Sequence, residues 1–173
     1  VDLARFDGQF ALMGLFGQSH FIEAALRVPG GDAIAQKRLN DMLGRTTQTS
    51  GKFLFSDTSS GDFVRLLSSE IRNNCGALDM LVSFGKKQGQ AKLGDVPMKL
   101  VRSISQARKG REYFENTQEN FVCMQALANY AAEYESEAPN FKAVVRLGQK
   151  EFGSVEFSSR TAQPITLSRP IDN

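Results

Sequence analysis

The chain has 173 residues, 41% of them hydrophobic and 23% charged, a balance that buries a core and excludes a disordered polymer. Its 21 Lys and Arg against 19 Asp and Glu leave a net charge of +2, too little to mark a nucleic-acid or anionic-membrane surface. No apolar run reaches the roughly 18 residues that span a bilayer, and no basic, apolar, small-residue leader pattern opens the chain.

Val1 runs at once into patterned sequence, so the chain reads as an internal piece of something longer. Phe6, Phe10, Met13 and Leu15 fall on one side of a first helix, and Phe21 to Val28 continues as a second apolar segment. Pro29-Gly30-Gly31-Asp32 is a turn before a helix, with Asp32 the expected N-cap, and Ala33, Ile34, Leu39, Met42 and Leu43 form the buried stripe. Gly44 to Gly61, rich in Thr, Ser and Gly, is expected to be a long loop with Phe53 to Phe55 tucked beneath it. Asp62 to Leu67 reads as a short helical turn or helix start, Glu70 to Phe84 as a strong helix, and Gly85 to Gly94 as a polar basic loop. Val96 to Ala107 is helical with Pro97 in its first turn. Asn116 to Glu135 is the strongest helix, and Asn116 with Glu119 three residues later has capping-box spacing.

Asn74, Leu78 and Leu81 are spaced four and then three apart, as are Asn120, Met124 and Leu127, and Gln9, Met13 and Phe16 repeat the spacing loosely. The copies are separated by 65 and 46 residues, an irregular repeat that fits stacked pairs of antiparallel helices. After Pro139 the character changes. Phe141 to Leu147 and Lys150 to Phe157 read as a hairpin turning at Gly148-Gln149, with Pro164 to Ser168 as a further strand. Two or three strands make no stable sandwich alone, so residues 1–137 are expected to form a helical domain and residues 138–173 the strands of an adjoining, incomplete β-sandwich.

Phe114-Glu115-Asn116-Thr117-Gln118-Glu119-Asn120, continuing through the apolar helix to Ala131, resembles the last helix of the thioester domain of bacterial α2-macroglobulins. The segment Glu70 to Leu81 resembles the preceding inner helix of that domain, and the change from helix to strand follows in the same order. The resemblance covers Ser56 to Asn173 well and the first fifty residues by helical character only. It implies a mainly α fold, a partial α/α toroid of antiparallel helix pairs in which Glu70–Phe84 and Asn116–Glu135 are neighbouring inner helices. Leu78, Leu81, Met124 and Leu127 are then expected in contact. It further implies a periplasmic protease trap whose internal thioester, a Cys thiol joined to a Gln side chain in Cys-x-Glu-Gln, is attacked by a protease lysine. The implied partners are target proteases and neighbouring β-domains of the same polypeptide, with membrane contact only through a lipid anchor elsewhere; no nucleic acid and no cofactor are implied.

The reactive motif is missing. Cys75 precedes Gly76-Ala77-Leu78, and Cys123 precedes Met124-Gln125-Ala126, with its Gln two residues on instead of three. The thioester is therefore expected upstream of Val1, unless the protein belongs to a subgroup that lacks it, and neither cysteine is expected in a thioester or metal site. Both sit in apolar helical pattern and read as buried inert thiols, with a disulfide the other state open to them. His20, the only histidine, has no partner at metal spacing. Pro29-Gly30-Gly31-Asp32 reads as a plain turn and not an anion site, and Lys86, Lys87 and Lys92 as a solvated loop. Gln118, Glu119 and Asn120 read as a helix start and not as catalytic groups. An α/α toroid enzyme of the terpenoid cyclase or prenyltransferase kind would need an Asp-rich motif and aromatic walls, and the chain has no Asp-x-Asp-Asp and no Trp. A helical-repeat binding module would show a regular period.

Overall fold

The structure, a computed structural model, describes residues 2–49, 51–57, 68–159 and 166–168. It divides into two compact units, Val1–Glu133 and Tyr134–Asn173. The described residues are mainly helical, with two small antiparallel sheets. In chain order the elements are α1 (Leu3–Asp7), α2 (Leu15–Arg27), α3 (Asp32–Leu43), β1 (Thr46–Thr49), β2 (Lys52–Phe55), α4 (Glu70–Gln88), α5 (Val96–Ala107), α6 (Thr117–Tyr134), β3 (Phe141–Leu147) and β4 (Lys150–Phe157). The helical turn expected at Asp62–Leu67 lies outside the described residues.

The centre of the first unit is α4. Ser69 caps it, accepting from the Arg72 N–H at 3.3 Å, Glu70 lies in its first turn and Lys86 and Lys87 in its last, all as the helix dipole favours. Eleven of its nineteen residues are buried, so it packs on every side. α2 runs parallel to it. Phe16 lies against Gly76, Glu23 accepts from Ser83 at 3.2 Å, and the Lys87 ammonium donates to the Leu26 carbonyl, contacts that climb both helices in the same direction. α6 also runs parallel to α4, through Ser69 with Glu119, Cys75 with Cys123, Asp79 with Asn129 and Lys86 with Glu133. The intervening helices return antiparallel. Arg45, just beyond α3, reaches Gln18 near the start of α2 at 2.8 Å, and Ser103 near the end of α5 meets β2 beside the start of α4.

Several expectations need correction. The first helix is broken: α1 stops at Asp7, a 3-10 turn covers Phe10–Leu12, and α2 starts afresh at Leu15. Gly8 and Gly14 cap the two ends, and each costs about 1 kcal/mol inside a helix. Phe10 is buried while Phe6 stays exposed. Asp32 is the first residue of α3 and caps nothing; it pairs with Lys87 at 2.9 Å. Gly31 precedes it because a Cβ there would lie 2.2 Å from the Ala25 carbonyl oxygen. Lys86 and Lys87 belong to α4, which runs one turn further than the apolar pattern does. Leu78 and Leu81 are buried, but Met124 is 58% exposed and Leu127 half-buried. The face of α6 turned inward is Glu119, Cys123, Ala126 and Tyr130. Apolar residues lie on two sides of α6, and the Cys123 and Glu119 links select between them.

Within the expected Gly44–Gly61 loop lies the hairpin β1–β2, paired Thr46 with Phe55 and Thr49 with Lys52 and turning at Gly51, whose φ is +83°. Phe53 and Phe55 are buried. The outer amides of β2 are paired by side chains: Phe53 N–H donates to Ser103 Oγ and Phe55 N–H to Asn74 Oδ1, both at 2.8 Å.

The second unit is the hairpin β3–β4, paired Phe141 with Phe157 and Leu147 with Lys150, with a bulge after Val145. Gly148 takes φ +62° in the turn. Phe141 stacks on Phe157 with ring centroids 5.1 Å apart. Phe141, Val144, Val145 and Leu147 are exposed, whereas Val155 and Phe157 are half-buried. Leu167 packs over Gly153, where a Cβ would approach it to 3.0 Å. Of the further strand expected at Pro164–Ser168, residues 166–168 are irregular, and 164 and 165 lie outside the described residues.

Two predictions follow from this packing. A methyl group at Gly76 would sit 2.8 Å from the Phe16 ring. Gly76→Ala therefore trades about 1 kcal/mol of helix propensity against an overpacking cost of about 1–3 kcal/mol, and urea unfolding should show a net loss. In a Phe16→Ala background the same change should become stabilising. The second concerns Asp7, which accepts from Arg38 Nε at 2.6 Å, the guanidinium also lying 4.9 Å over the Phe10 ring. The hydrogen bond from Arg38 holds the Asp7 carboxyl below its ordinary value, with partial burial opposing. This contribution to stability is present above about pH 4, the unfolded carboxylate pKa, and is lost as pH falls through the lower folded value. Asp7→Asn should flatten that part of the stability-against-pH curve.

Candidate functional site

The polar groups of the first unit converge where α4 and α6 begin side by side. The Asn116 side chain accepts from the Glu119 N–H at 2.9 Å. The Glu119 carboxylate reaches back to accept from the Glu115 N–H at 3.0 Å, and its other oxygen accepts from the Ser69 hydroxyl. Ser69 thereby caps α4 and joins it to the first turn of α6 in one hydrogen-bonded chain. Glu119 is only 6% exposed, and a buried carboxylate has to be hydrogen-bonded to be tolerated; both oxygens are. Gln118 accepts from Arg72 Nη1 at 2.7 Å. Asn120 grips the backbone of Phe114 on both sides: Oδ1 accepts from the Phe114 N–H at 2.9 Å, and Nδ2 donates to the Phe114 carbonyl at 3.0 Å and to the Asn116 carbonyl at 2.8 Å.

Asn74 makes the same grip two helices earlier, on α4. Its Oδ1 accepts from the Phe55 N–H at 2.8 Å, and its Nδ2 donates to the Phe55 carbonyl at 3.2 Å and to the Glu70 carbonyl at 2.9 Å. The spacing shared by Asn74 and Asn120 is thus a shared hydrogen-bonding device as well as a packing period. Gln18 does related work on α2, donating to the Phe10 carbonyl at 3.1 Å and the Met13 carbonyl at 2.9 Å. Phe10, Phe55 and Phe114 are all buried.

One turn below the junction, Cys75 and Cys123 form a disulfide with Cα atoms 4.9 Å apart, which overturns the expectation of inert thiols. Both residues are fully buried. Each cysteine lies just after its helix's gripping Asn, by one residue in α4 and by three in α6. These offsets differ, so aligning the two Asn residues does not by itself bring the thiols together; their pairing depends on how the parallel helices pack. Since both sulfurs are bonded to each other, neither is a free nucleophile.

The remaining candidates lie apart from this junction. His20 is exposed, with Nδ1 3.1 Å from Glu23 Oε2 and its ring edge-on to Phe16 at 4.4 Å. Lys92 donates to Gln88. Among the described residues no three His, Cys, Asp or Glu side chains are grouped to hold a metal, and no helix is long and apolar enough to cross a membrane. No family model, curated protein or solved structure matches the chain.

Closing a 48-residue loop, the disulfide should contribute about 4 kcal/mol by restricting the unfolded chain. Urea unfolding with and without dithiothreitol should differ by about that amount, and the Cys75→Ser, Cys123→Ser double variant should match the reduced protein and lose its response to reductant.

Proposed function

We propose that the chain is the later part of a helical thioester-type domain from an α2-macroglobulin-like protease trap, followed by strands of an adjoining β-domain. In this reading it does no chemistry of its own. The observation that carries it is the parallel set α2, α4 and α6, the first two doubled back by α3 and α5, with Asn116-Thr117-Gln118-Glu119-Asn120 heading the third. Inner and outer helices of an α/α toroid alternate in that way.

The disulfide supports the reading on two counts. Disulfides persist in oxidising compartments, as a periplasmic or otherwise extracytoplasmic protein requires. The bond also occupies both thiols, leaving the chain no cysteine for a thioester, as a structural share of the domain would have it. The exposed apolar residues of β3 suit a hairpin whose neighbours belong to a β-domain. Target proteases are then partners of the whole trap, reached through other parts of the polypeptide. Neither nucleic acid nor a cofactor has a role, and any membrane attachment is a lipid anchor elsewhere.

The test is to challenge the full encoded polypeptide with trypsin. The expected result is a trypsin complex retained through gel filtration, with peptides of this chain unmodified in its mass spectrum. A polypeptide that is merely digested and retains no trypsin would refute the trap reading. A methylamine adduct or a protease cross-link at Cys75, Cys123 or Gln125 would refute the structural role given to this chain.

A further inference from the structure

At the end of the array where α2, α4 and α6 all begin, a groove of about 350 Å³ opens between the three helices, lined by Phe16, Arg72, Thr117, Gln118, Phe121 and Val122. The volume lies at the small end of ligand pockets, large enough for one apolar side chain and its backbone. Phe16, Phe121 and Val122 supply apolar walls, and Phe121 is 71% exposed, an unusual position for a Phe on a helix that has a separate buried face. Arg72 is the one charged residue of the lining. Its guanidinium stacks over the Phe16 ring at 5.0 Å, and donates to Gln118 Oε1 at 2.7 Å and Asn73 Oδ1 at 3.3 Å. Both acceptors are neutral amides, no carboxylate pairs with it among the described residues, and its buried Nε has no hydrogen-bond partner.

A guanidinium carries five N–H donors in a planar fork suited to a carboxylate. Here the fork is oriented by stacking and by two neutral amides, and no described carboxylate pairs with it beside the apolar wall. An apolar wall joined to a single oriented cation complements a residue that carries a large apolar side chain and a carboxylate together. In a polypeptide that is a C-terminal residue, whose carboxylate and side chain branch from the same Cα. We propose that this groove binds the C-terminus of a peptide chain ending in an aromatic or large aliphatic residue, the side chain against Phe16, Phe121 and Val122 and the carboxylate on Arg72. The proposal is independent of the protease-trap reading.

Fluorescence anisotropy with the 173-residue protein tests it, using fluorescein-Gly-Gly-Ala-Phe with a free carboxylate, the same peptide amidated, and fluorescein-Gly-Gly-Ala-Gly. The free-acid Phe peptide should bind. Losing a charge-assisted hydrogen bond should make the amide weaker by roughly tenfold or more, and the Gly peptide should be weaker still. Phe121→Ser replaces an exposed side chain and leaves the core untouched, so it should abolish binding with an unchanged helical circular dichroism spectrum. Arg72→Met keeps an unbranched apolar stem and should erase the preference for acid over amide. If Arg72→Met unfolds the protein, the Phe121→Ser and amide results still decide. Failure of the free-acid peptide to bind overturns the proposal, as does equal affinity for acid and amide, or for the Phe and Gly peptides. So does a dimer in gel filtration that Phe121→Ser dissociates and the peptide does not, because the groove would then be occupied by a second copy.

Discussion

Three consecutive residues of α4 tie three different neighbours to it. Asn74 holds β2 through both polar atoms of Phe55, Cys75 is bonded to α6, and Gly76 leaves the space that the Phe16 ring of α2 fills. Successive side chains on a helix point about 100° apart, so one turn can address three directions, and in this turn each direction is used by a different means. A hydrogen-bonding amide, a covalent bond and an absent side chain cannot substitute for one another. The burial of α4 on all sides follows, since each link brings a different element against it.

The side-chain amides account for how irregular chain is held against the helices. Segments that lead into a helix carry backbone groups with no partner in regular structure, and a buried one left unpaired costs about 1–3 kcal/mol. Asn74, Asn120 and Gln18 satisfy such groups at Phe55, Phe114 and Phe10, which lets three large aromatic rings be buried beside them. Asn74 and Asn120 also donate to the carbonyl four residues back, so each grip is oriented by its own helix. The two helices use one solution on different segments, Asn74 on the end of β2 and Asn120 on the turn before α6.

The same contacts constrain what the molecule can do. The carboxylate of Glu119 is engaged on both oxygens by Ser69 and Glu115, so the place where a catalytic reading was most natural is occupied by capping. Arg72, one turn into α4, is different: its orientation is determined by neutral partners and its charge is not compensated by any described carboxylate. Capping groups at the junction, and beside it a cation that no described carboxylate pairs, divide structural from recognition roles over a few residues.

The elements with strong periodicity were legible in the sequence. α5 runs from Val96 to Ala107 as its pattern and Pro97 indicate, α4 and α6 occupy the two strongest apolar helical stretches, and β3 and β4 follow their β-forming residues and the Gly148-Gln149 turn. Such features depend on neighbours close in the chain. The hairpin β1–β2 was not legible, because a Thr- and Gly-rich segment becomes sheet only when Ser103 and Asn74, distant in sequence, pair its outer amides. Which face of α6 is buried was equally hidden. Met124 and Cys123 are both apolar, and helical spacing alone does not distinguish them. The disulfide depends on two parallel helices meeting at one register across 48 residues. Local periodicity determined where the helices lie in the chain; side-chain contacts between distant segments decided which of their faces meet and which atoms were left for recognition.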